Sequence, residues 1–403
     1  MGTKRNPAAK SLSMLAAVRF VRTFVGRRWM TGIFALAAAT AWVSFDRALS
    51  PVQSAAGQVA PAQVILNTVL GGALRTEADQ LAVAAKIVGP DGNADNACSK
   101  CHVLENEAWQ NTHHFSTFKE RHRSPEAKAI LTKMGFKSMK RQGECLQCHY
   151  TSVVDEAKLV PTWGVSCESC HGPAAEWVSF HNKPNGDATA KALPWGTGKN
   201  EPPAEREARL KAAQAKGMIS SQMIYEIATN CFSCHTVPDE TLVNKGGHKA
   251  GSDFDLVAWS QGEVRHNFAD SAGAPDHPTN RPASPAQLRR LYIVGAMVDL
   301  QFSLRNLATV TQKGGEFDKA MIERVNRIRA KVAAVLEKVQ IPELADVLKL
   351  VPEKVDDSTT VPAGLPDKLA DATKQFASTN DGTKLDAMDS LIPTKYMGTI
   401  YKP

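Results

Sequence analysis

The chain has no cysteine outside one recurring pattern, neither cysteine nor histidine after His277, and only 6% aromatic residues among its 403. With no cysteine to spare, a disulfide framework would have to be built from the pattern itself. The shortage of Phe, Trp and Tyr leaves a core of this size poor in the rings that usually fill it, so something besides side chains is expected to share the interior. A charge excess is missing too: the formal +7 sits in residues 1–47, where eight lysines and arginines face Asp46 alone, and the remainder carries 40 basic and 40 acidic residues. A formally neutral body has no net charge that would draw nucleic acid, and no such partner is expected.

The eight cysteines form four copies of one motif: Cys98-Ser99-Lys100-Cys101-His102, Cys145-Leu146-Gln147-Cys148-His149, Cys167-Glu168-Ser169-Cys170-His171 and Cys231-Phe232-Ser233-Cys234-His235. Two thiols three residues apart can each make a thioether to one porphyrin, and the histidine beside the second thiol then lies under the iron. Zinc sites and disulfides do not ask for a histidine after every second cysteine, and a thioredoxin-like motif occurs once. Four covalently bound haems c are therefore expected, with His102, His149, His171 and His235 as proximal ligands.

Residues 1–56 read as an export signal or an N-terminal membrane anchor with a tether. Basic residues through Arg28 precede the apolar run Trp29 to Phe45, a helix of about 25 Å at the short limit for a span, and Ser54-Ala55-Ala56 offers a cleavage site. Paired thiols must meet haem outside the cytoplasm, so the body is expected on the periplasmic or outer-surface side of the cytoplasmic membrane, soluble after cleavage or otherwise anchored. Residues 57–95 form a linker with a short helix around Thr76–Ile87. Residues 96–270 form the haem region, expected to be helices and loops without sheet; its polar stretch 183–217, with a helix in Pro203–Lys216, reads as a surface insertion. Residues 271–403 form a helical region. There Ser284-Pro285 opens one helix carrying Tyr292, Met297, Val298 and Phe302, and a second runs from about Phe317 to Val339 with Val325, Ile328, Val332 and Val335 on one side. These helices would dock on the haem core or form a dimer. The fold class is mostly α: short helices and loops around four haems, plus the C-terminal helices.

Iron needs a sixth ligand or keeps an open face. Of the seven remaining histidines, His114, His181, His248 and His266 are the candidates; His113 is the alternative to His114, and His122 and His277 are expected to face solvent. On a helical path His114 lies about 18 Å beyond His102, too far to fold back over the same haem.

Cys98 to His102 followed by Trp109, Thr112 and His114, then Gly164-Val165-Ser166 before the third motif, Gly172-Pro173 after it and His181 ten residues beyond His171, resembles the tetrahaem cytochromes c that accept electrons from hydroxylamine oxidoreductase in ammonia-oxidising bacteria. The resemblance runs from about Asn96 to His235. It implies a mostly helical fold with closely stacked haem pairs, His181 on the haem of Cys98/Cys101, His114 on the haem of Cys167/Cys170, a histidine beyond His235 on the fourth haem, and an open second haem. The chain departs from that pattern by offering both His248 and His266 downstream, of which the second would close the second haem, and by its long C-terminal region.

The expected function is electron carriage between a redox donor and a redox acceptor protein through mainly bis-histidine haems, with no catalytic residue. The alternatives are an enzyme acting on a small nitrogen compound at an open haem on His149, and a haem-stacking subunit of a homo-oligomeric filament or a membrane redox complex joined through the C-terminal helices. Membrane contact would come only through an uncleaved N-terminal segment.

Overall fold

The computed structural model describes residues 76–91, 97–193, 201–268 and 279–403. The export or anchor segment, its tether and His277 lie outside them. Among the described residues there are fourteen α-helices and one two-stranded hairpin, so the chain is mostly α as expected. None of these helices is long and apolar enough to cross a membrane.

The haem region begins with α1 (Glu77–Ala84), whose N-cap Thr76 and Asp79 form a reciprocal capping box. A 3₁₀ turn at Cys98–Lys100 leads into α2 (Val103–Gln110), then α3 (His113–Glu120), α4 (Pro125–Met134) and α5 (Gly143–His149). The ends of α4 are written in the sequence: Ser124 Oγ accepts the Ala127 N–H, Pro125 takes the first position, and Gly135 leaves the helix at φ +75°.

A hairpin follows where none was expected. Strands β1 (Thr151–Asp155) and β2 (Lys158–Trp163) pair antiparallel about a two-residue turn, Glu156-Ala157, with both φ values positive. The flanking β-branched residues suit strands, but a turn of that hand usually announces itself with Asn or Gly, and this one does not.

After α6 (Cys167–His171) the chain reaches α7 (Pro203–Gln214), α8 (Ile224–His235), α9 (Glu240–Asn244) and α10 (Leu256–Ser260). The stretch 183–217 is not a plain surface insertion. Arg209 on α7 donates to the carbonyl of His181 while pairing bidentately with Glu201, so this helix holds a candidate ligand's backbone.

The largest apolar core belongs to the C-terminal helices. In α11 (Pro285–Ala308) Ser284 and Gln287 form a capping box, and the helix is buried on nearly every side, which marks it as a core helix. Around it pack α8, α10, α12 (Glu316–Lys338) and α14 (Leu365–Thr379), with α13 (Pro342–Leu348) against α12 and α14. Val325, Ile328, Val332 and Val335 are buried along α12 as their spacing predicts. The helix that bears the fourth motif is thus one wall of this core.

Within that core Asp299 of α11 and Arg324 of α12 form a bidentate pair, Nε to Oδ1 at 2.5 Å and Nη2 to Oδ2 at 3.0 Å, both residues at most 5% exposed. The remaining guanidinium nitrogen Nη1 donates to the carbonyl of Ser252 at 2.8 Å. Asp299→Ala would strand a buried guanidinium, and we expect it to cost about 3–5 kcal/mol in urea unfolding followed by far-ultraviolet circular dichroism. A loss below about 1 kcal/mol would show that the pair does not hold these helices together.

Candidate haem-binding site

Three of the four motifs are α-helical and the first is a tighter turn. The second, third and fourth lie in α5, α6 and α8, and the first in its 3₁₀ turn with His102 as N-cap of α2. Helical spacing puts positions i, i+3 and i+4 on one face, so each motif offers two thiols and an imidazole to the same side. No two cysteines are joined as a disulfide.

Opposite each motif histidine stands one other histidine. The ring centres of His102 and His181 are 6.3 Å apart, His149 and His248 6.3 Å, His171 and His266 6.1 Å, and His114 and His235 6.2 Å. Two metal–nitrogen bonds of about 2 Å, with about 1 Å more from each nitrogen to its ring centre, add to about 6 Å. Hydrogen-bonded imidazoles would sit nearer about 5 Å. No group of three or more His, Cys, Asp or Glu suited to an ion occurs among the described residues. Two imidazoles alone do not make a protein metal site, but at this spacing they would suit the two faces of a porphyrin-held iron.

Protonation agrees with ligation. The Nδ1 atoms of His171, His181, His248 and His266 lie 2.9, 2.6, 2.8 and 2.7 Å from the carbonyl oxygens of Ile219, Val178, Lys249 and Val264. A carbonyl can only accept, so Nδ1 carries the proton and Nε2 keeps its lone pair for the opposite side. Burial pushes His149 and His171 down to about 4 and His235 down to about 3, and it lowers His114 and His181 as well, so these rings are neutral near pH 7. His235 is held differently: its Nδ1 meets Ser252 Oγ at 3.0 Å, and Phe254 stacks on its ring at 4.3 Å.

Buried donors without partners flank the pairs. Trp177 Nε1 lies in a helical turn whose ring meets His181 edge-on, Tyr150 Oη follows His149, and Ser166 Oγ precedes Cys167. Unpaired buried donors are costly, and a prosthetic group bearing carboxylates would satisfy them. The donor set, the ring spacing and these donors all fit haem.

Three expectations about pairing need correction. His114 faces His235 rather than His171. His266 faces His171, and His248, not His266, faces His149, so the second motif has a histidine opposite it. The distance argument that removed His114 from its own motif was sound, but it could not choose among the other three. Close approach decides: the carbonyl of His114 accepts the Val165 N–H at 3.0 Å, and a Cβ on Gly164 would stand 2.2 Å from that oxygen, so only glycine lets the strand end pass α3 here. His113 points elsewhere, its Nδ1 bonded at 2.6 Å to the buried carboxylate of Glu263. His122 is not fully solvent-facing either, since its Nδ1 is buried without a partner.

Sequence reasoning missed the acid inside the third motif. Glu168 is buried and accepts the N–H groups of Val88, Gly89 and Ala174 at 2.9, 2.7 and 2.7 Å, tying the segment after α1 to the motif. Burial raises its carboxyl despite those donors. A glutamate between two cysteines was the available signal.

The motifs also touch one another. The Cys98 and Cys167 thiols lie close enough to act on each other, which lowers Cys98 and raises Cys167. Asn230 donates to the Cys170 carbonyl at 2.8 Å, and the field of Cys170 reaches Cys231. Cys234 Sγ lies 3.9 Å from the Gln147 carbonyl, and a cleft between the second, third and fourth motifs is lined by Cys148, Ser169, Gly172 and Cys234.

Comparison with known proteins bears on part of the chain. No curated protein and no solved structure matches it. The family model of cytochrome c554 and c-prime matches residues 97–172, a stretch that holds the first three motifs, and supports a c-type cytochrome with covalently bound haem.

Proposed function

We propose that the chain is a four-haem electron carrier in which every iron takes two histidines: His102 with His181, His149 with His248, His171 with His266, and His235 with His114. The observation that carries this reading is the set of four ring pairs at one spacing, each with a CxxCH motif on one side. When bound, haem supplies one-electron ferric/ferrous chemistry, at low potential where both axial ligands are histidine. The protein's part is to hold both axial positions, keep the imidazoles neutral and keep other ligands off.

Contacts between motifs support an order in space of first, third, fourth, second. Cys98 meets Cys167, Asn230 before the fourth motif holds Cys170, and Cys234 meets Gln147 of the second. The first and second motifs are then the two ends of a path, and donor and acceptor would meet the protein there. Attachment of haem to paired thiols, with the basic-then-apolar N-terminal segment, supports a place outside the cytoplasmic membrane.

His248 opposite His149 argues against catalysis on a small nitrogen compound at an open second haem. The C-terminal helices spend their apolar faces on one another and on α8, which argues against their use as a filament interface.

The oxidised protein is expected to contain four haems by pyridine haemochrome, all low-spin by EPR, and the reduced protein to bind no carbon monoxide. His248→Ala and His266→Ala should each turn about a quarter of the haem high-spin and open it to carbon monoxide, at different sites. A low-spin spectrum in either variant would remove that histidine from the ligand set. Ser252→Ala deletes the acceptor of the His235 Nδ1–H, makes that imidazole a poorer electron donor, and should shift one midpoint potential upward in a spectroelectrochemical titration while the other three stay. Four unmoved potentials would show that Ser252 does not tune the site.

A further inference from the structure

One end of the proposed path is far more basic than the other. Residues 119–141, which span the end of α3, all of α4 and the turn before α5, carry eight lysines and arginines against Glu120 and Glu126. None of the eight pairs with a carboxylate among the described residues, and all but Lys140, which lies over the Phe118 ring, are exposed. At the other end, residues 97–111 carry Lys100 against Glu105 and Glu107.

The basic face surrounds the site of the second motif. Lys133 lies beside Gly247, where a Cβ would stand 2.7 Å from its Nζ, and Gly247 precedes His248; Lys245 and Lys249 on the same loop are exposed. From the other side the field of Arg121 reaches His149. The large hydrophobic residues that are exposed, such as Val103, Val154 and Leu350, all lie outside 119–141, so this face has no apolar wedge for a bilayer.

We infer that the face formed by residues 119–141 and the 245–249 loop is the docking surface for an acidic redox protein that exchanges electrons with the haem of His149 and His248. The inference rests on the four-haem reading. A body with no net charge and one strongly positive pole orients in the field of an acidic partner, so the pole faces the partner at encounter and the terminal site arrives within reach. One electron crosses, no bond forms or breaks, and one metal centre is oxidised as the other is reduced.

The probe is a reduced plant-type [2Fe–2S] ferredoxin, mixed anaerobically with the fully loaded oxidised protein in a stopped-flow instrument. The rate of haem reduction should fall about tenfold or more as ionic strength rises from about 0.01 M to about 1 M, over which the screening length shrinks from about 30 Å to about 3 Å. At low salt the double variant Lys133→Glu/Lys137→Glu should be slower by about tenfold, while Lys354→Glu/Lys368→Glu, with the same change in net charge in the C-terminal region, stays within about twofold of the parent. Equal rates in the two double variants, or a rate indifferent to salt, would overturn the docking surface. So would binding of phosphatidylserine vesicles that Lys133→Glu/Lys137→Glu abolishes while leaving the ferredoxin rate intact, because the face would then serve a membrane. Haem content separates the two levels: fewer than four haems in the parent protein defeats the four-haem reading, whereas four haems with a flat salt profile defeats the docking surface alone.

Discussion

Two imidazole rings held about 6 Å apart, too far for a hydrogen bond and right for two ligands of one metal, form the constraint on which the haem region depends. Each ring must be aimed by its backbone, and for five of the eight the structure does this by spending the Nδ1 proton on a nearby oxygen. For four of the eight that oxygen is a carbonyl one to three residues away or, for His171, on the loop at Ile219. The short helices, the tight turns and the glycines at Gly164 and Gly172 serve this aim. Gly172 leaves the third motif at φ +83°, and a Cβ there would press to 2.4 Å on the Gly217 carbonyl. The scarcity of aromatic side chains follows from the same cause: where porphyrins share the interior, rings of that size are supplied from outside the chain.

The C-terminal helices are joined to this arrangement by specific bonds rather than by apolar contact alone. Asp299 fixes Arg324, Arg324 holds the Ser252 carbonyl, and Ser252 meets His235, so a buried ion pair in the helical core reaches the histidine of the fourth motif in three steps. The end of the chain returns as well. The Glu263 N–H donates to the Met397 carbonyl, and Tyr401 donates to Glu107 on α2 at 2.6 Å. Glu263 in turn grips His113, next to His114, and lies three residues before His266. One carboxylate thereby ties together the backbones that carry His266 and His114, the histidines opposite the third and fourth motifs.

What could be read from the residues alone divides along physical lines. The CxxCH motifs were plain because their chemistry is local, and the long C-terminal helices were plain because a capping box and a steady apolar spacing are local too. The hairpin escaped because Glu156 and Ala157 adopt positive φ without the Asn or Gly that usually signals such a turn. The partners of His114, His248 and His266 escaped because they depend on where the chain turns between α2 and α3, after the hairpin and after α9. Spacing along a helix measures none of these. The match to a family over 97–172 contains His114 but neither His235 nor His266, so it could not settle which motif His114 serves.

The pairs have an order along the chain. The partners nearer the N-terminus come as His102, His114, His149 and His171, and their opposites as His181, His235, His248 and His266, in the same sequence. The four loops so closed overlap rather than nest, and all of them span the stretch between His171 and His181. No contiguous fragment shorter than about eighty residues holds even one complete site, and closing loops of that length delays the contacts that reward them. As the chain emerges N-terminus first, the first motif waits for His181, and the next two wait for histidines that follow the fourth. Three of the four sites are therefore finished only when α8 and the loops beyond it have arrived. Late completion of this kind ties maturation of the sites to delivery of the chain through His266.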